Sequence, residues 1–325
     1  MSHLTTCPGG AQAISSRWIQ TLIGIAAAML WAVETMLLNS ALSSGTLLNA
    51  DFAEASLVAA ALLDLCSAVY MALLYTARGE IGKLLPALRS PGGRRIMVAS
   101  LLGGPFGMTC YLLAIRTAGA GPAVSVSALY PAIGALLAAI FLREQLRSWQ
   151  KAGLMVSVSG AVLLSALGGG AISRWSGLIP ALVCALCWGS EAVISSSGMK
   201  LGDISSELGL LIRQITSATA YWLILLPMSG SLKTAVCAVK SDCLLWVLLA
   251  AVAGTASFLC YFRTIRNLGS SKAMALNITY TAWVVMMESA LHRTSPGFLP
   301  ILCAMLISSG SALTAYEQNK QELKV

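Results

Sequence analysis

Residues 104–119 read GPFGMTCYLLAIRTAG, and 150 positions later residues 254–269 read GTASFLCYFRTIRNLG. Gly104 meets Gly254, Cys110 meets Cys260, Tyr111 meets Tyr261, Ile115 and Arg116 meet Ile265 and Arg266, and Gly119 meets Gly269. The same offset carries Tyr130 onto Tyr280 and Gly160 onto Gly310. At a slightly larger offset, LWAVE (residues 30–34) matches CWGSE (residues 187–191). The chain therefore reads as a duplication, with a first half at residues 1–170 and a second at 171–325.

Composition says what the halves are built for. Of 325 residues, 57% are hydrophobic and only 10% charged, with a mean hydropathy of +0.78. A soluble surface needs roughly 25–35% charge, so the expected class is an integral membrane protein. Disorder, a collagen-like fibre and a secreted disulfide scaffold are excluded on the same ground. The nine cysteines are odd in number and lie mostly inside apolar runs, where they read as small hydrophobes. Cys184 and Cys187 spell CxxC, but no partner His or Cys is near in sequence, so they read as one helix face. No metal cluster, nucleophile constellation or nucleotide-binding loop is present in the sequence, so neither an enzyme nor a cofactor is expected.

A bilayer core takes about 20 apolar residues per helix. Ten such segments follow one another: 18–40, 52–77, 96–116, 122–142, 151–168, 176–198, 206–228, 243–266, 271–291 and 297–316. The first is too long for a cleaved signal peptide. An even number of spans puts both termini on one side. That side collects fifteen Lys and Arg, among them Arg78, Arg94, Arg95, Arg147 and Lys151, against Arg116, Arg174, Lys233, Lys240 and Arg293 on the other. The positive-inside rule makes the first side cytoplasmic. The net charge of +8 thus sets orientation and implies no nucleic-acid partner. Five spans per half place equivalent residues on opposite sides of the membrane. The fold expected is an all-α polytopic protein of ten transmembrane helices in two inverted five-helix repeats, an arrangement that builds alternating-access transporters.

Within the spans acids are few: Glu34, Asp64, Glu191 and Glu288. Each costs about 2.5–3.5 kcal/mol at the bilayer centre, so such residues face the bundle interior and mark a substrate or proton path, or an ion pair between helices. Arg213 is the one base well inside a span, able to pair with Glu191 or the membrane-edge Glu207. One base cannot satisfy four acids. Trp31 precedes Glu34 by three positions and Trp188 precedes Glu191 by three, so each indole shares a helix face with a carboxylate. Tyr111, Tyr130, Tyr261, Tyr280 and Trp283 occupy other central spans. Acid framed by aromatic faces suits a quaternary ammonium ion, which donates no N–H hydrogen bond and is held by ring quadrupoles at about 2 kcal/mol each when desolvated. Trp and Tyr also pack helices or sit at interfaces, as Trp18, Trp149, Trp175 and Trp246 do near segment ends. Asn277 can meet substrate or a neighbouring helix.

Residues 128–164, ALYPAIGALLAAIFLREQLRSWQKAGLMVSVSGAVLL, resemble the drug/metabolite transporter superfamily of EamA-like type, where a Pro-containing span precedes an interfacial Glu, here Glu144, and the glycines Gly153 and Gly160. At the counterpart of Glu144 the second half has Thr294. GGPFGM (103–108), VSALYPAI (126–133), ALVCALCWGSEAVISS (181–196), LLIRQITS (210–217) and ALNITYTAW (275–283) together resemble the bacterial choline uptake permeases of the phosphocholine-incorporation type. That resemblance implies proton-coupled choline entry across a bacterial inner membrane through an aromatic pocket. By position it carries Trp31, Asp64, Trp188, Glu191, Arg213, Asn277, Tyr280 and Trp283 onto the family's pattern. Glu34 and Glu288 depart from it. The expected substrate site is Trp31, Tyr130, Trp188, Glu191, Asn277, Tyr280 and Trp283, with Glu34, Asp64 and Glu288 as proton-coupling candidates and Arg213 as a structural ion-pair partner. An amino-acid or metabolite exporter of the same superfamily is the alternative, and it would need a base free to pair a substrate carboxylate.

Overall fold

The computed structural model describes residues 9–141, 147–167, 175–292 and 297–315. Glu144 and Thr294 lie outside them. The described residues form helices and no strand. The principal helices are α1 (Gly9–Leu42), α2 (Phe52–Ala77), α3 (Pro91–Ala118), α4 (Ala120–Ser127), α5 (Tyr130–Phe141), α6 (Ser148–Leu167), α7 (Trp175–Leu201), α8 (Ser206–Ser229), α9 (Cys243–Leu268), α10 (Ser270–Asn277), α11 (Tyr280–His292) and α12 (Phe298–Ala315). Short helices Gly45–Asn49, Leu84–Arg89 and Leu232–Val239 lie in connections.

Local sequence accounts for the helix ends. The Asp51 carboxylate accepts from the Ala53 N–H at the start of α2, and the Ser205 hydroxyl from the Leu208 N–H at the start of α8. Ser90 caps α3 through the Gly93 N–H, with Pro91 in the first turn where its missing N–H costs nothing. Gly119 and Gly269, equivalent in the 150-residue offset, adopt φ +89° between α3 and α4 and between α9 and α10. A side chain at either would be strained.

Trp18–Leu42, α2, α3, Ile179–Leu201, α8 and α9 are each long and apolar enough to cross a membrane. Large apolar side chains point outward along them, including Leu22, Leu73, Val98, Phe106, Leu223 and Val252, which suits a hydrocarbon environment and no aqueous one. Segments 122–142 and 271–291, expected as continuous spans, are each interrupted: α4 stops at Ser127 and α5 starts at Tyr130, while α10 stops at Asn277 and α11 starts at Tyr280. At the first break Pro131 has no N–H to reach the Ser127 carbonyl. The second has no proline. There the Thr279 and Thr281 hydroxyls donate to the carbonyls of Leu276 and Ile278, at 2.8 and 3.0 Å, drawing the backbone out of the regular ladder. Two π-helical turns, Leu102–Met108 and Tyr221–Leu225, interrupt α3 and α8 beside Pro105 and Pro227.

Packing crosses between the halves. Helix α1 lies on α9, α10 and α11, α7 lies on α3, α4 and α5, α2 meets α8, and α6 meets α12. Small residues let the helices approach. The buried Ala27, Ala28 and Ala32 of α1 face α9, where Ser257 donates to the Ala27 carbonyl at 2.8 Å. Gly160 and Gly310 sit where a Cβ would meet the partner helix between α6 and α12.

Candidate functional site

The four acids and one base of the spans do not spread evenly. Glu34 on α1, Asp64 on α2, Glu191 on α7 and Arg213 on α8 gather in the core, and all are buried. Arg213 Nε donates to Glu191 Oε1 at 2.8 Å, its Nη1 lies 3.6 Å from Asp64 Oδ1, and the same nitrogen donates to Gln214 Oε1 at 3.0 Å. The guanidinium carbon stands 4.0 Å from the Phe258 ring centroid, a cation–π contact. Asp64 accepts a further hydrogen bond from the Ser217 hydroxyl. Glu34 is within electrostatic range of Asp64 and Arg213, and its Oε2 has no hydrogen-bond partner. Three carboxyls thus share one guanidinium in a place shielded from water, so the cluster favours any additional positive charge, whether a proton or a cation.

Glycine makes the room. A Cβ at Gly103 would coincide with the Glu191 carboxylate, one at Gly104 with the Ser217 hydroxyl, and one at Gly254 with the Glu34 carboxylate. Gly103 and Gly104 belong to the π-helical turn of α3. That turn also frees backbone carbonyls: Trp188 Nε1 donates to the Gly103 carbonyl at 3.2 Å, and the Tyr221 hydroxyl to that of Gly104 at 2.9 Å.

Beside the acids lies an aromatic cavity lined by Trp31, Tyr130, Trp188, Glu191, Ala192, Ser195, Phe258, Tyr261, Phe262, Ile265 and Asn277. It holds about 330 Å³ of interatomic space, part of it open to the outside. The gap at its centre is no wider than a water molecule, so an organic occupant requires its walls to part. Trp31 and Trp188 meet edge to face at 5.0 Å between centroids. Phe258 and Tyr280 stand 5.1 and 5.9 Å from Trp31, and Tyr111 and Tyr130 stand 4.8 and 6.2 Å from Trp188.

Of the residues expected at the site, Trp31, Tyr130, Trp188, Glu191 and Asn277 come together on the cavity wall. Tyr280 touches it only through Trp31 and spends its hydroxyl on the Ser127 hydroxyl at 2.9 Å and the Val124 carbonyl at 3.2 Å. Trp283 is half-buried against the core and is not on the wall, and Glu288, also half-buried on α11, is not among the groups gathered around Arg213. Phe258, Tyr261, Phe262 and Ile265 complete the wall. Their i, i+3, i+4, i+7 spacing on α9 is one helix face and is visible in the sequence. Ser195 follows Glu191 by four positions and Trp188 by seven, again one face.

The profile of the EamA-like transporter family matches residues 18–166 and 175–316. Among curated proteins, Protein LicB of Haemophilus influenzae (strain ATCC 51907 / DSM 11121 / KW20 / Rd) is 29% identical over 303 residues, covering 93% of this chain and 99% of that one. Among solved structures, one crystal structure superposes with a TM-score of 0.62 at 20% identity, covering 91% of this chain and 96% of the other, a likeness of fold.

Proposed function

Since the chain belongs to the EamA-like transporter family, and so is a membrane transporter and no enzyme, we propose that it carries choline or a closely related quaternary amine. Transport is secondary, coupled to protons, and inward across a bacterial inner membrane, with both termini cytoplasmic. The observation that carries this reading is the aromatic cavity with Glu191 in its wall and a surplus of carboxyls behind it. Rings attract a cation that cannot hydrogen-bond, and the surplus of acid makes a positive occupant the favoured one. The resemblance of the sequence to choline uptake permeases points the same way.

Alternating access between inverted halves, 1–170 and 171–325, is part of the proposal. It is supported by reciprocal contacts at the 150-residue offset. The Tyr130 hydroxyl donates to the Met274 carbonyl at 3.2 Å, and the Tyr280 hydroxyl to that of Val124 at 3.2 Å. Interrupted helices at a midplane site are a recurrent transporter device, and both breaks border the cavity region. Under the positive-inside assignment, Ser195, Phe262 and Ile265 lie on the cytoplasmic side of Trp31 and Trp188, so the cavity reaches toward the cytoplasm.

The exporter of amino acids or metabolites ranks second, because Arg213 is already engaged by Glu191, Asp64, Gln214 and the Phe258 ring. Glu191 takes the role of the acid nearest the cation, while one other acid, Asp64 or Glu34, carries the coupling proton. The test is choline binding and pH-driven uptake into liposomes by Glu34→Gln, Asp64→Asn and Glu191→Gln. Glu191→Gln loses binding across the pH range. The proton carrier's substitution spares binding but uncouples uptake from the pH gradient. Parent-like binding and accumulation by all three would overturn the assignment.

A further inference from the structure

Among the described residues five buried polar side-chain atoms lack a well-formed hydrogen-bond partner, and three of them belong to residues that line the cavity: Trp31 Nε1, which has no more than an ill-aligned contact with the Tyr111 hydroxyl, Ser195 Oγ and Asn277 Oδ1. All three residues are at most 4% exposed. A buried polar group left unmatched is costly, so three around one cavity call for a common partner.

Comparison with the equivalent position in the other half shows that none of the three follows from the duplication. Trp188, the counterpart of Trp31, donates its N–H to the Gly103 carbonyl freed by the π-helical turn of α3. Helix α9, which faces Trp31, has no such turn and spares no carbonyl. Ser127, the counterpart of Asn277, is satisfied by Tyr280 and the Val124 carbonyl, whereas the carbonyl oxygen of Asn277 has no partner. The residue 157 positions before Ser195 is the apolar Leu38. Ser195 also departs from the habit of helical hydroxyls in this chain. Ser56, Ser100, Ser190 and Thr255 each donate to the carbonyl four residues earlier, and Ser195 does not.

The chemistry of the three atoms specifies their partner. The indole N–H only donates, the amide oxygen only accepts, and a serine hydroxyl does either. An occupant must therefore offer both an acceptor and a donor. A bare tetraalkylammonium offers neither, and a carboxylate offers acceptors alone. A hydroxyl offers both. Building on the cation reading above, we propose that Ser195, Asn277 and the Trp31 N–H form a hydroxyl-reading subsite beside the aromatic box. The transporter thereby selects cationic alcohols over alkyl cations and over betaine-type zwitterions of the same size.

The test uses the purified full chain and three probes: choline, n-propyltrimethylammonium, in which a methyl replaces the hydroxyl, and glycine betaine. Calorimetric affinities should place choline roughly tenfold or more ahead of both others. Ser195→Ala and Asn277→Leu should narrow the choline-to-propyl ratio to within about threefold by weakening choline more than the propyl cation, with the melting temperature of each variant reporting an intact fold. If Asn277→Leu loses both cations, Ser195→Ala, which removes a single oxygen, decides. Equal affinity for choline and the propyl cation in the parent overturns the subsite and leaves the cation reading standing. A ratio unmoved by both substitutions overturns the assignment to these residues. If no probe binds, the cation reading falls and takes the subsite with it.

Discussion

Arg213 holds the site together. It is buried, contacts two carboxylates, and covers the Phe258 ring with its guanidinium plane. Removing one member of a buried pair costs about 3–5 kcal/mol, because the partner's charge is stranded in low dielectric. Arg213→Met should therefore lower the melting temperature of the detergent-solubilised protein by many degrees. Adding Glu191→Gln and Asp64→Asn should recover part of the loss. A melting temperature like the parent's would mean that the contacts carry no stability. Trp188 acts differently, through its ring. Trp188→Ala should weaken choline binding by about 1–2 kcal/mol, roughly five- to thirty-fold, with Trp188→Phe in between. Titration of the three proteins with choline checks this, and unchanged affinity in the alanine variant would remove Trp188 from the pocket.

At the scale of elements, the two broken helices are the feature that continuous hydropathy does not announce. Each break places a tyrosine at the start of its second piece, and each tyrosine reaches across to the first piece of the other broken helix. These bonds tie α4 to α11 and α5 to α10 in a region where no water competes. Interhelical bonds of this kind contribute about 0.6–2 kcal/mol in membranes. Tyr280→Phe deletes the hydroxyl that serves both Ser127 and the Val124 carbonyl without altering ring contact to Trp31. Reversible unfolding in mixed micelles should show a loss near 1 kcal/mol while choline affinity stays within about twofold. A large loss of affinity with unchanged stability would instead make the hydroxyl part of the binding site.

For the whole molecule, orientation is the property with the simplest test. Cys237 is exposed on the short helix Leu232–Val239, in a connection the charge distribution assigns to the outer side, and Arg94 lies at the start of α3 on the inner side. In a variant keeping Cys237 as its sole cysteine, a membrane-impermeant maleimide added to intact cells should label the protein. A sole cysteine placed at position 94 should react only after permeabilisation. The reverse pattern would invert the topology and with it the direction in which the cavity faces.

Hydropathy, charge placement and self-similarity are one-dimensional properties, and they determined the membrane environment and the internal likeness at an offset of 150 residues. That Trp31 shares a helix face with Glu34, and Trp188 with Glu191, was legible because a three-residue spacing is a helix face whatever the tertiary structure. Both broken segments read as continuous spans: Pro131 supplies the cause of one break, while the break after Asn277, made by threonine hydroxyls, carried no comparable signal. Tertiary structure alone decided that Arg213 turns to Glu191 and Asp64 and not to Glu207, that Trp283 stays off the cavity wall, and that Ser195, Asn277 and Trp31 leave three polar atoms unmatched on it. The physical reason is rotation. A sequence fixes which residues share a face, but the direction a face points depends on how its helix crosses partners from the other half of the chain, and those crossings are set by small-residue contacts such as Ser257 on Ala27 and Gly103 on Glu191.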